Sequence, residues 1–228
     1  MTEERGSQAA LGSPDALNAG APRSASPAFT KAPGERVCVF GGTFDPIHVA
    51  HIRIAEEAQQ KFNLDRILLV PAGNPPHKDA FTPYEDRLRM VQLACKGCPG
   101  CEASDLESGS QHSYTIDTIL RVREKLNAND RLFFLIGADA FDDFETWKGW
   151  QELVELTEFI VVARPESEYR VPKNARLHRL DGLALQVSSS NIRTALALGE
   201  DTPELAPEVR AFIEERGLYG FGKDKATA

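Results

Sequence analysis

The sequence predicts an α/β fold, a doubly wound and mainly parallel sheet with helices on both faces. Strand-like and helix-like segments alternate between residues 36 and 221, which implies parallel strands joined by helical crossovers. The strongest strand-like run, residues 131–136, is apolar almost without interruption, as strands are when helices cover both faces of a sheet. A chain of 228 residues with 42% hydrophobic residues can bury one full core.

The predicted strands are short runs of β-branched, aliphatic or aromatic residues. The first of them stops at the pair Gly41-Gly42. In chain order the predicted strands are residues 36–40, 66–71, 101–106 (the weakest), 131–136, 158–163, 177–180 and 184–187. Ligands of parallel sheets bind beyond the carboxyl ends of the strands, so the residues that follow these runs are the candidates for function.

The predicted helices repeat apolar residues every three or four positions, as Ile52, Ala55, Ala58 and Phe62 do. In chain order they are residues 49–62, 83–94 (with Pro83 in the first turn), 113–126 (with Ser113 as N-cap), 150–156, 191–198 and 207–216. The predicted arrangement is Rossmann-like, with a small helical part at the C-terminal end.

One folded domain is expected, with an extension at each end. Residues 1–35 consist mainly of Ala, Gly, Ser and Pro with almost no aliphatic residues, so we expect a disordered extension. The folded domain spans residues 36–221, and residues 222–228 are expected to be a frayed tail.

Composition argues against several classes of function. The formal net charge of −8 disfavours nucleic acid as a partner, because duplex-binding proteins usually carry the opposite charge. Apolar runs fall short of the ~20 residues that span a bilayer, so no membrane partner is expected. Residues 1–35 resemble neither a secretory signal nor a transit peptide, which predicts a cytoplasmic protein. The oligomeric state is left open.

Three of the four cysteines, Cys95, Cys98 and Cys101, form two C-x-x-C steps. Cytosolic thiols are normally reduced, so we expect reduced thiols here. The alternatives are redox chemistry or a metal knuckle, whose fourth ligand would be Cys38, His112 or a residue of a partner chain.

The turn after the first predicted strand combines features of a phosphate site. Gly41-Gly42 lets backbone amides approach a ligand, and Asp45-Pro46 suits a helix start whose free amides attract anions. His48 and His51 are three residues apart, so both imidazoles lie on one face of the first helical turn. The alternatives are surface histidines at an ordinary turn, or a metal site made of Asp45, His48 and His51.

The stretch from Gly41 to His51, G-G-T-F-D-P-I-H-V-A-H, resembles the signature of the nucleotidyltransferase superfamily of adenylyl- and cytidylyltransferases. That family shares an H-x-G-H motif with class I aminoacyl-tRNA synthetases. Ala50 stands where the family has a glycine close to the bound nucleotide. We expect the added methyl group to affect ATP affinity more than activity.

Two segments after the second and third predicted strands suit a second substrate. The loop V-P-A-G-N-P-P-H-K, residues 70–78, ends in Lys78, a compact cation suited to a phosphate. The segment S-Y-T-I-D-T, residues 113–118, opens a helix whose free amides suit a carboxylate. The alternatives are a Pro/Gly turn with a solvated lysine, and an N-capped core helix.

Two later segments suit a nucleotide. Asp139 follows the strongest strand and suits ribose hydroxyls, and Trp147 suits a flat ring. The run Ser188-Ser189-Ser190 with Arg193 forms a second phosphate site at a helix start, so two turns would grip one triphosphate. The alternatives are core packing of the tryptophan and a serine-capped helix with a surface arginine.

In this order the elements resemble the bacterial nicotinate-nucleotide adenylyltransferase family over residues 36–219. The resemblance implies a step of NAD biosynthesis in which ATP and nicotinate mononucleotide give nicotinate adenine dinucleotide and pyrophosphate. It also implies Mg²⁺ that arrives with ATP and is held mostly by phosphates and water, with few or no protein ligands.

The resemblance gives each site residue a role. The expected catalytic residues are His48, His51 and Arg193, which contact the ATP phosphates. The expected ATP-binding residues are Gly41, Gly42, Thr43, Phe44, His48, His51, Gly137, Asp139, Ser188, Ser189, Ser190 and Arg193. The expected substrate-binding residues are Lys78 for the nucleotide phosphate, Trp147 for the pyridine ring, and Tyr114 and Thr115 for the nicotinate carboxylate.

Other functions remain as alternatives. The substrate could be pantetheine phosphate, nicotinamide mononucleotide or a cytidylyltransferase substrate, although the N-P-P-H-K loop and Trp147 argue against the first and the last. A nucleotide-binding sensor with little turnover is suggested by Ala50 and the cysteines. Residues 217–223 match G-x-x-x-x-G-K by spacing, but Asp224 replaces the required Ser or Thr, so we do not predict a P-loop.

Overall fold

A computed structural model of the chain describes residues 34–74, 82–110, 112–164, 168–181 and 187–221. Its centre is a six-stranded sheet in which every neighbouring pair is parallel, in the order β3-β2-β1-β4-β5-β6. The strands are β1 (Arg36–Gly42), β2 (Arg66–Pro71), β3 (Cys101–Ala103), β4 (Arg131–Gly137), β5 (Glu158–Ala163) and β6 (Arg176–Asp181). The predicted parallel α/β fold is confirmed.

Helices connect these strands and follow the last one. They are α1 (Val49–Phe62), α2 (Tyr84–Cys95), α3 (Thr115–Arg123), α4 (Ala138–Asp142), α5 (Trp150–Leu156), α6 (Ser189–Leu198) and α7 (Pro207–Arg216). Two 3₁₀ turns, Phe144–Thr146 and Leu218–Gly220, complete the described elements. The bounds predicted for α1, α5 and α7 agree with the structure.

Two hydrophobic clusters lie on opposite faces of the sheet. In β1, Cys38 and Phe40 belong to one cluster while Val37 and Val39 belong to the other, because successive strand residues point to opposite faces. One cluster includes side chains from α1, α2, α6 and α7, and the other includes side chains from α3, α4 and α5. Helices therefore cover both faces, as predicted, which explains the uninterrupted apolar character of β4.

The order of the strands places one crevice at a defined point. Chain order runs outward in one direction from β1 and in the other direction from β4, so the connections diverge between these two central strands. In open parallel sheets ligands bind at this switch point, beyond the carboxyl ends of the strands. The turns that follow Gly42 of β1 and Gly137 of β4 therefore flank the expected ligand position.

Several predicted element bounds need correction. The helix expected at residues 113–126 begins at Thr115 with Tyr114 as N-cap, because the Ser113 hydroxyl instead accepts a hydrogen bond from the Asn74 amide. The third strand ends at Ala103 rather than at residue 106. α2 occupies Tyr84–Cys95, with its predicted first-turn proline as N-cap, one residue later than expected at each end.

The C-terminal part also differs in detail. α6 begins at Ser189, two residues before the predicted start, because the Ser188 hydroxyl accepts from the Asn191 amide and caps the helix. The predicted strand 177–180 extends over Arg176–Asp181. Of the last predicted strand, residues 184–186 lie outside the described residues, and Val187 belongs to no strand.

The cysteine prediction is wrong for one pair. Cys98 and Cys101 form a disulfide in the turn between α2 and β3, where a spacing of three residues brings their Cα atoms to 5.4 Å. Cys38 and Cys95 remain thiols, and burial raises the pKa of Cys95 to about 11. Across the described ranges, no group of three or more His, Cys, Asp or Glu side chains is arranged to hold a metal ion.

The ends of the chain remain a matter of prediction, because residues 1–33 and 222–228 lie outside the described residues. At the start of the described part, the Glu35 amide donates to the Asp130 carboxylate at 2.8 Å. None of the helices that the structure describes has the length and apolar composition needed to cross a bilayer.

Candidate active site

The turn between β1 and α1 is tightly packed beneath its backbone. Phe44 is 2% exposed, and its φ of +49° turns the chain sharply. A Cβ atom at Gly42 would lie 2.8 Å from the Phe44 ring, so the turn requires glycine at that position. The ring of Phe44 packs in the core, which leaves its backbone for the predicted contact with ATP.

The two histidines of the turn are stacked, with ring centroids 3.8 Å apart. The backbone N–H of His48 donates to Nδ1 of His51 at 3.3 Å. Since Nδ1 of His51 accepts, the neutral ring carries its proton on Nε2. His51, half-buried against the edge of Phe44, thus has a donor fixed in orientation and suited to an anionic oxygen.

His48 is in a different environment from its neighbour. It is 6% exposed, and burial lowers its pKa to about 4, so the imidazole is neutral at pH 7. Within the part of the chain that the structure describes, its buried Nδ1 atom has no hydrogen-bond partner. An unpaired buried polar atom costs about 1–3 kcal/mol, and such exceptions to satisfied burial call for an explanation, a functional role being one.

The turn before α6 makes direct contact with the turn after β1. The Ser189 hydroxyl donates to the Pro46 carbonyl at 2.9 Å, and Arg193 Nη1 donates to the Asp45 carbonyl at 2.6 Å. Arg193 Nη2 also donates to the Ser190 hydroxyl at 3.1 Å. The two turns are more than 140 residues apart in sequence, and the predicted convergence of the turns is confirmed.

The same contacts revise how the serines act. The hydroxyl of Ser188 caps α6, and the hydroxyl of Ser189 holds the neighbouring turn. The sequence predicts phosphate contacts for both hydroxyls, with a serine-capped helix as the alternative. Ser188 therefore matches the capping alternative, while Ser189 joins the start of α6 to the turn before α1.

The end of β4 provides open space next to this turn. Gly137 and Asp139 are exposed, and Gly137 is the N-cap of α4. A Cβ atom at Gly137 would have no neighbour within 4 Å, and one at Gly41 would meet only the edge of Phe134 at 3.8 Å. No protein side chain of the described part fills the space above these glycines, so a ligand can lie close to the backbone there.

The residues predicted for the second substrate lie together, apart from Lys78, which lies outside the described residues. Tyr114 is the N-cap of α3 and Thr115 is its first residue. Lys148 Nζ lies 4.2 Å from the centre of the Tyr114 ring, so the segment that follows Trp147 packs beside the start of α3. Trp147 is half-buried, with its ring 5.6 Å from that of Phe144, and is therefore partly a core residue.

The metal alternative at the first turn is not supported. Asp45, His48 and His51 do not form a group of potential metal ligands. The Asp45 carboxylate instead accepts a hydrogen bond from the Tyr219 hydroxyl at 2.6 Å. Burial and this carboxylate raise the pKa of Tyr219, so the phenol remains the donor.

Sequence reasoning missed two residues beside the site. Tyr219 reaches Asp45 from the last described turn of the chain, and Arg87 of α2 donates to the Thr43 carbonyl at 2.7 Å. No local pattern marked either residue, because both partners are distant in sequence. The position of Tyr219 at the end of the family-like segment was the one available signal.

Comparison with known proteins agrees with this geometry. Residues 39–195 match the sequence model of the cytidylyltransferase-like family. A probable nicotinate-nucleotide adenylyltransferase of Solibacter usitatus is 46% identical over 186 residues, which cover 81% of this chain and 99% of that protein. A protein of the same name from Desulfatibacillum aliphaticivorans is 38% identical, again over 81% of this chain and 99% of its own length.

Among solved structures, the nicotinic acid mononucleotide adenylyltransferase of Plasmodium falciparum, complexed with NaAD, superposes with a TM-score of 0.68. The match covers 83% of this chain and 100% of that protein at 23% identity, and at this identity it supports the fold alone. The family resemblance predicted from the motifs is confirmed by the sequence relatives. This chain therefore belongs to the nicotinate-nucleotide adenylyltransferase family, within the cytidylyltransferase-like proteins.

Proposed function

We propose that this chain transfers the adenylyl group of ATP to nicotinate mononucleotide, giving nicotinate adenine dinucleotide and pyrophosphate. One observation carries the proposal from the structure. Ser189 and Arg193 are hydrogen-bonded to the turn that contains His48 and His51, so two helix starts face one position at the carboxyl end of β1. That position suits a triphosphate.

The chemistry needs alignment and charge stabilisation, not a general base. A phosphate oxygen of nicotinate mononucleotide, already ionised at neutral pH, forms a bond to the α-phosphorus of ATP. The bond from that phosphorus to the bridging oxygen breaks, and its electron pair leaves with pyrophosphate. The protein holds the attacking and leaving oxygens in line and stabilises the charge on the phosphates.

The donors of the first turn have separate tasks. His51 presents Nε2–H, fixed by the His48 amide, to a phosphate oxygen. His48 is neutral, so we assign it a hydrogen bond to the triphosphate and not an ion pair. Arg193 carries a permanent positive charge and stabilises pyrophosphate as it departs. Gly41, Gly42 and Thr43 contribute backbone amides.

The other substrate is placed at the start of α3. The amides at Tyr114 and Thr115 receive the nicotinate carboxylate, because the first N–H groups of a helix lack internal partners. The exposed part of Trp147 stacks on the pyridine ring, and Lys78 holds the nucleotide phosphate. Asp139 binds the ribose of adenosine beside Gly137. A neutral amide gains less from these donors than a carboxylate, so we expect a preference for the acid substrate.

Magnesium enters with ATP in this proposal. We expect the ion to be held by phosphates and water. Bound in this way, Mg²⁺ neutralises phosphate charge. We also place the reaction in the cytoplasm, where ATP is available. None of the described helices is long and apolar enough to cross a bilayer.

A pyrophosphate-release assay tests the proposal. Purified protein with ATP and Mg²⁺ is given nicotinate mononucleotide, nicotinamide mononucleotide or pantetheine phosphate in parallel. We expect rapid release with the first, slower release with the second and none with the third. Release with pantetheine phosphate alone would overturn the substrate, and tight ATP binding without release from any nucleotide would favour a sensor.

A further inference from the structure

Arg87 is a buried arginine beside the site, and its side chain contacts the backbone of three loop positions. It lies in the first turn of α2 and is 1% exposed. Nε donates to the Thr82 carbonyl at 3.0 Å, Nη1 to the Thr43 carbonyl at 2.7 Å, and Nη2 to the Gly73 carbonyl at 3.5 Å. Charged side chains are rarely this buried unless their donors are used.

The three acceptors lie in or beside the two segments that are proposed to bind the substrates. Thr43 lies in the turn after β1 that is proposed to bind ATP. Gly73 and Thr82 are described residues on either side of residues 75–81, which lie outside the described part and include Lys78, proposed for the nucleotide phosphate. The planar guanidinium donates in fixed directions, so these loop ends are held at a set distance from one another.

Further contacts support Arg87 and the loop that it holds. The Gly73 amide donates to the Glu107 carboxylate at 3.1 Å, and the Thr118 hydroxyl donates to the same carboxylate at 2.6 Å. Burial lowers the pKa of Arg87, and the carboxylates of Asp45 and Glu107 act in the opposite direction. An arginine stays protonated under these conditions, so the site contains a permanent buried cation below the ATP turn.

We propose that Arg87 is a positioning residue. It fixes the turn that contains Thr43, proposed to bind ATP, relative to Gly73 and Thr82, which lie on either side of the segment proposed to bind nicotinate mononucleotide. The inference rests on the proposed function, because it assigns one substrate to each loop. The pattern of acceptors distinguishes it from an ordinary core residue: all three are backbone carbonyls of substrate loops or their ends, and none lies within a strand or helix.

The consequence is a shared effect on both substrates. Without the guanidinium, the carbonyls of Thr43, Gly73 and Thr82 lose one common donor, and the distance between the loops is no longer set. A small misplacement of reacting groups lowers the rate of an in-line transfer by up to about 10²-fold. We therefore expect Arg87→Met to raise the KM of both substrates and to lower kcat, with kcat/KM reduced by about 10²-fold.

The experiment compares Arg87→Met and Arg87→Lys with Arg89→Met, an exposed arginine on the same helix that contacts Gln92. Each protein is assayed well below its own melting temperature, so that unfolding does not contribute. The measurements are KM for ATP and for nicotinate mononucleotide, kcat, and the calorimetric Kd of ATP.

We expect kcat/KM to be highest and equal in the wild type and Arg89→Met, lower in Arg87→Lys, and lowest in Arg87→Met. Lysine places one donor group where the guanidinium placed three, so it restores activity only in part, and we expect a loss of about 10-fold in kcat/KM. ATP should also bind about 10-fold more weakly to Arg87→Met, because the ATP turn is less ordered.

If Arg87→Met has the wild-type KM, kcat and Kd and only a lower melting temperature, then Arg87 has a purely structural role. That result would overturn the inference. If Arg87→Met does not fold, Arg87→Lys decides by the same criterion. A wild-type protein that binds ATP but makes no dinucleotide would refute the proposed function. In that case the Kd of ATP alone would decide whether Arg87 orders the ATP turn.

Discussion

The two ends of the central sheet differ in how their polar groups are satisfied. At the amino end, charged residues at or next to the starts of neighbouring strands pair with each other. Arg131 of β4 forms two bonds of 2.8 and 2.6 Å with Glu158 of β5, and Arg66 of β2 forms two of 2.9 Å with Glu102 of β3. At the carboxyl end, β1 and β4 finish in Gly42 and Gly137, and the polar groups lie in turns.

Glu158 illustrates the amino end of the sheet, where the charged groups are paired. It is 5% exposed and contacts three basic side chains: Arg131, Arg176 and His178. Burial alone would raise its pKa, but the hydrogen bonds from Arg131 and His178 outweigh burial and hold the pKa at about 2. The carboxylate is therefore charged in the folded protein at every pH in common use, and its role is stability.

His48 illustrates the other end. It is as buried as Glu158, yet none of the described residues gives Nδ1 a hydrogen bond, and burial alone lowers its pKa to about 4. A buried side chain of this kind lowers the free energy of unfolding, so the fold can keep it only when interactions elsewhere supply the lost stability. We therefore expect the amino end of this sheet to contribute mainly stability and the carboxyl end to serve ligand binding.

The largest expected effect tests this division with two histidines. His51→Ala removes the oriented Nε2–H donor at the carboxyl end, and we expect kcat to fall by ~10²–10³-fold, equivalent to ~3–4 kcal/mol, with little change in melting temperature. His178→Ala, the matched control at the amino end, should retain kcat. Steady-state pyrophosphate release with thermal denaturation measures both, and an active His51→Ala would remove the catalytic assignment.

Much of the fold could be predicted from the sequence. Strands and long helices are set by periodicity, and Gly41-Gly42 with two histidines placed the main turn correctly. The fourth helix, Ala138–Asp142, was missed because five residues are too few for a helical period. The disulfide of Cys98 and Cys101 was missed because compartment, not spacing, guided the prediction.

The site itself was predictable only where its signal is local. The serine run was recognised, but not its bonds to the turn after β1, because hydroxyl partners depend on tertiary contacts. Arg87 lies in the run Y-E-D-R-L-R-M beside Arg89, and nothing in this run indicates which arginine is buried. Its acceptors are loop carbonyls, which every residue possesses, so no residue type marks them.

The second prediction concerns pH, since the two ends should lose stability in different ranges. The folded pKa of His48 is about 4 against an ordinary 6.5, so the unfolded state binds the extra proton and stability falls as pH drops from 6.5 to about 4. The folded pKa of Glu158 is about 2 against 4.5, so its contribution is lost between pH 4.5 and about 2. Each loss is on the order of 3 kcal/mol.

Urea denaturation between pH 8 and pH 2.5 measures these ranges. In His48→Gln the free energy of unfolding should depend less on pH between 6.5 and 4 and as in the wild type below pH 4.5, because glutamine does not titrate. Glu158→Gln should do the reverse. If the free energy of unfolding of His48→Gln falls between pH 6.5 and 4 as steeply as that of the wild type, then His48 is not a buried neutral imidazole in the folded protein.

The smallest expected effect compares two carboxylates of the amino end at pH 7. Glu158→Gln leaves Arg131 and Arg176 without their buried counter-charge, and we expect the free energy of unfolding to fall by ~2 kcal/mol. Glu102→Gln removes a bidentate pair of similar geometry, but the side chains of Arg66 and Glu102 are 40% and 47% exposed, so solvent screens the pair and the expected loss is ~0.5 kcal/mol. Both variants should keep wild-type kcat. A loss of kcat in Glu158→Gln while it remains folded would show that the amino end also controls the site, and equal losses of stability would show that burial does not separate the two pairs.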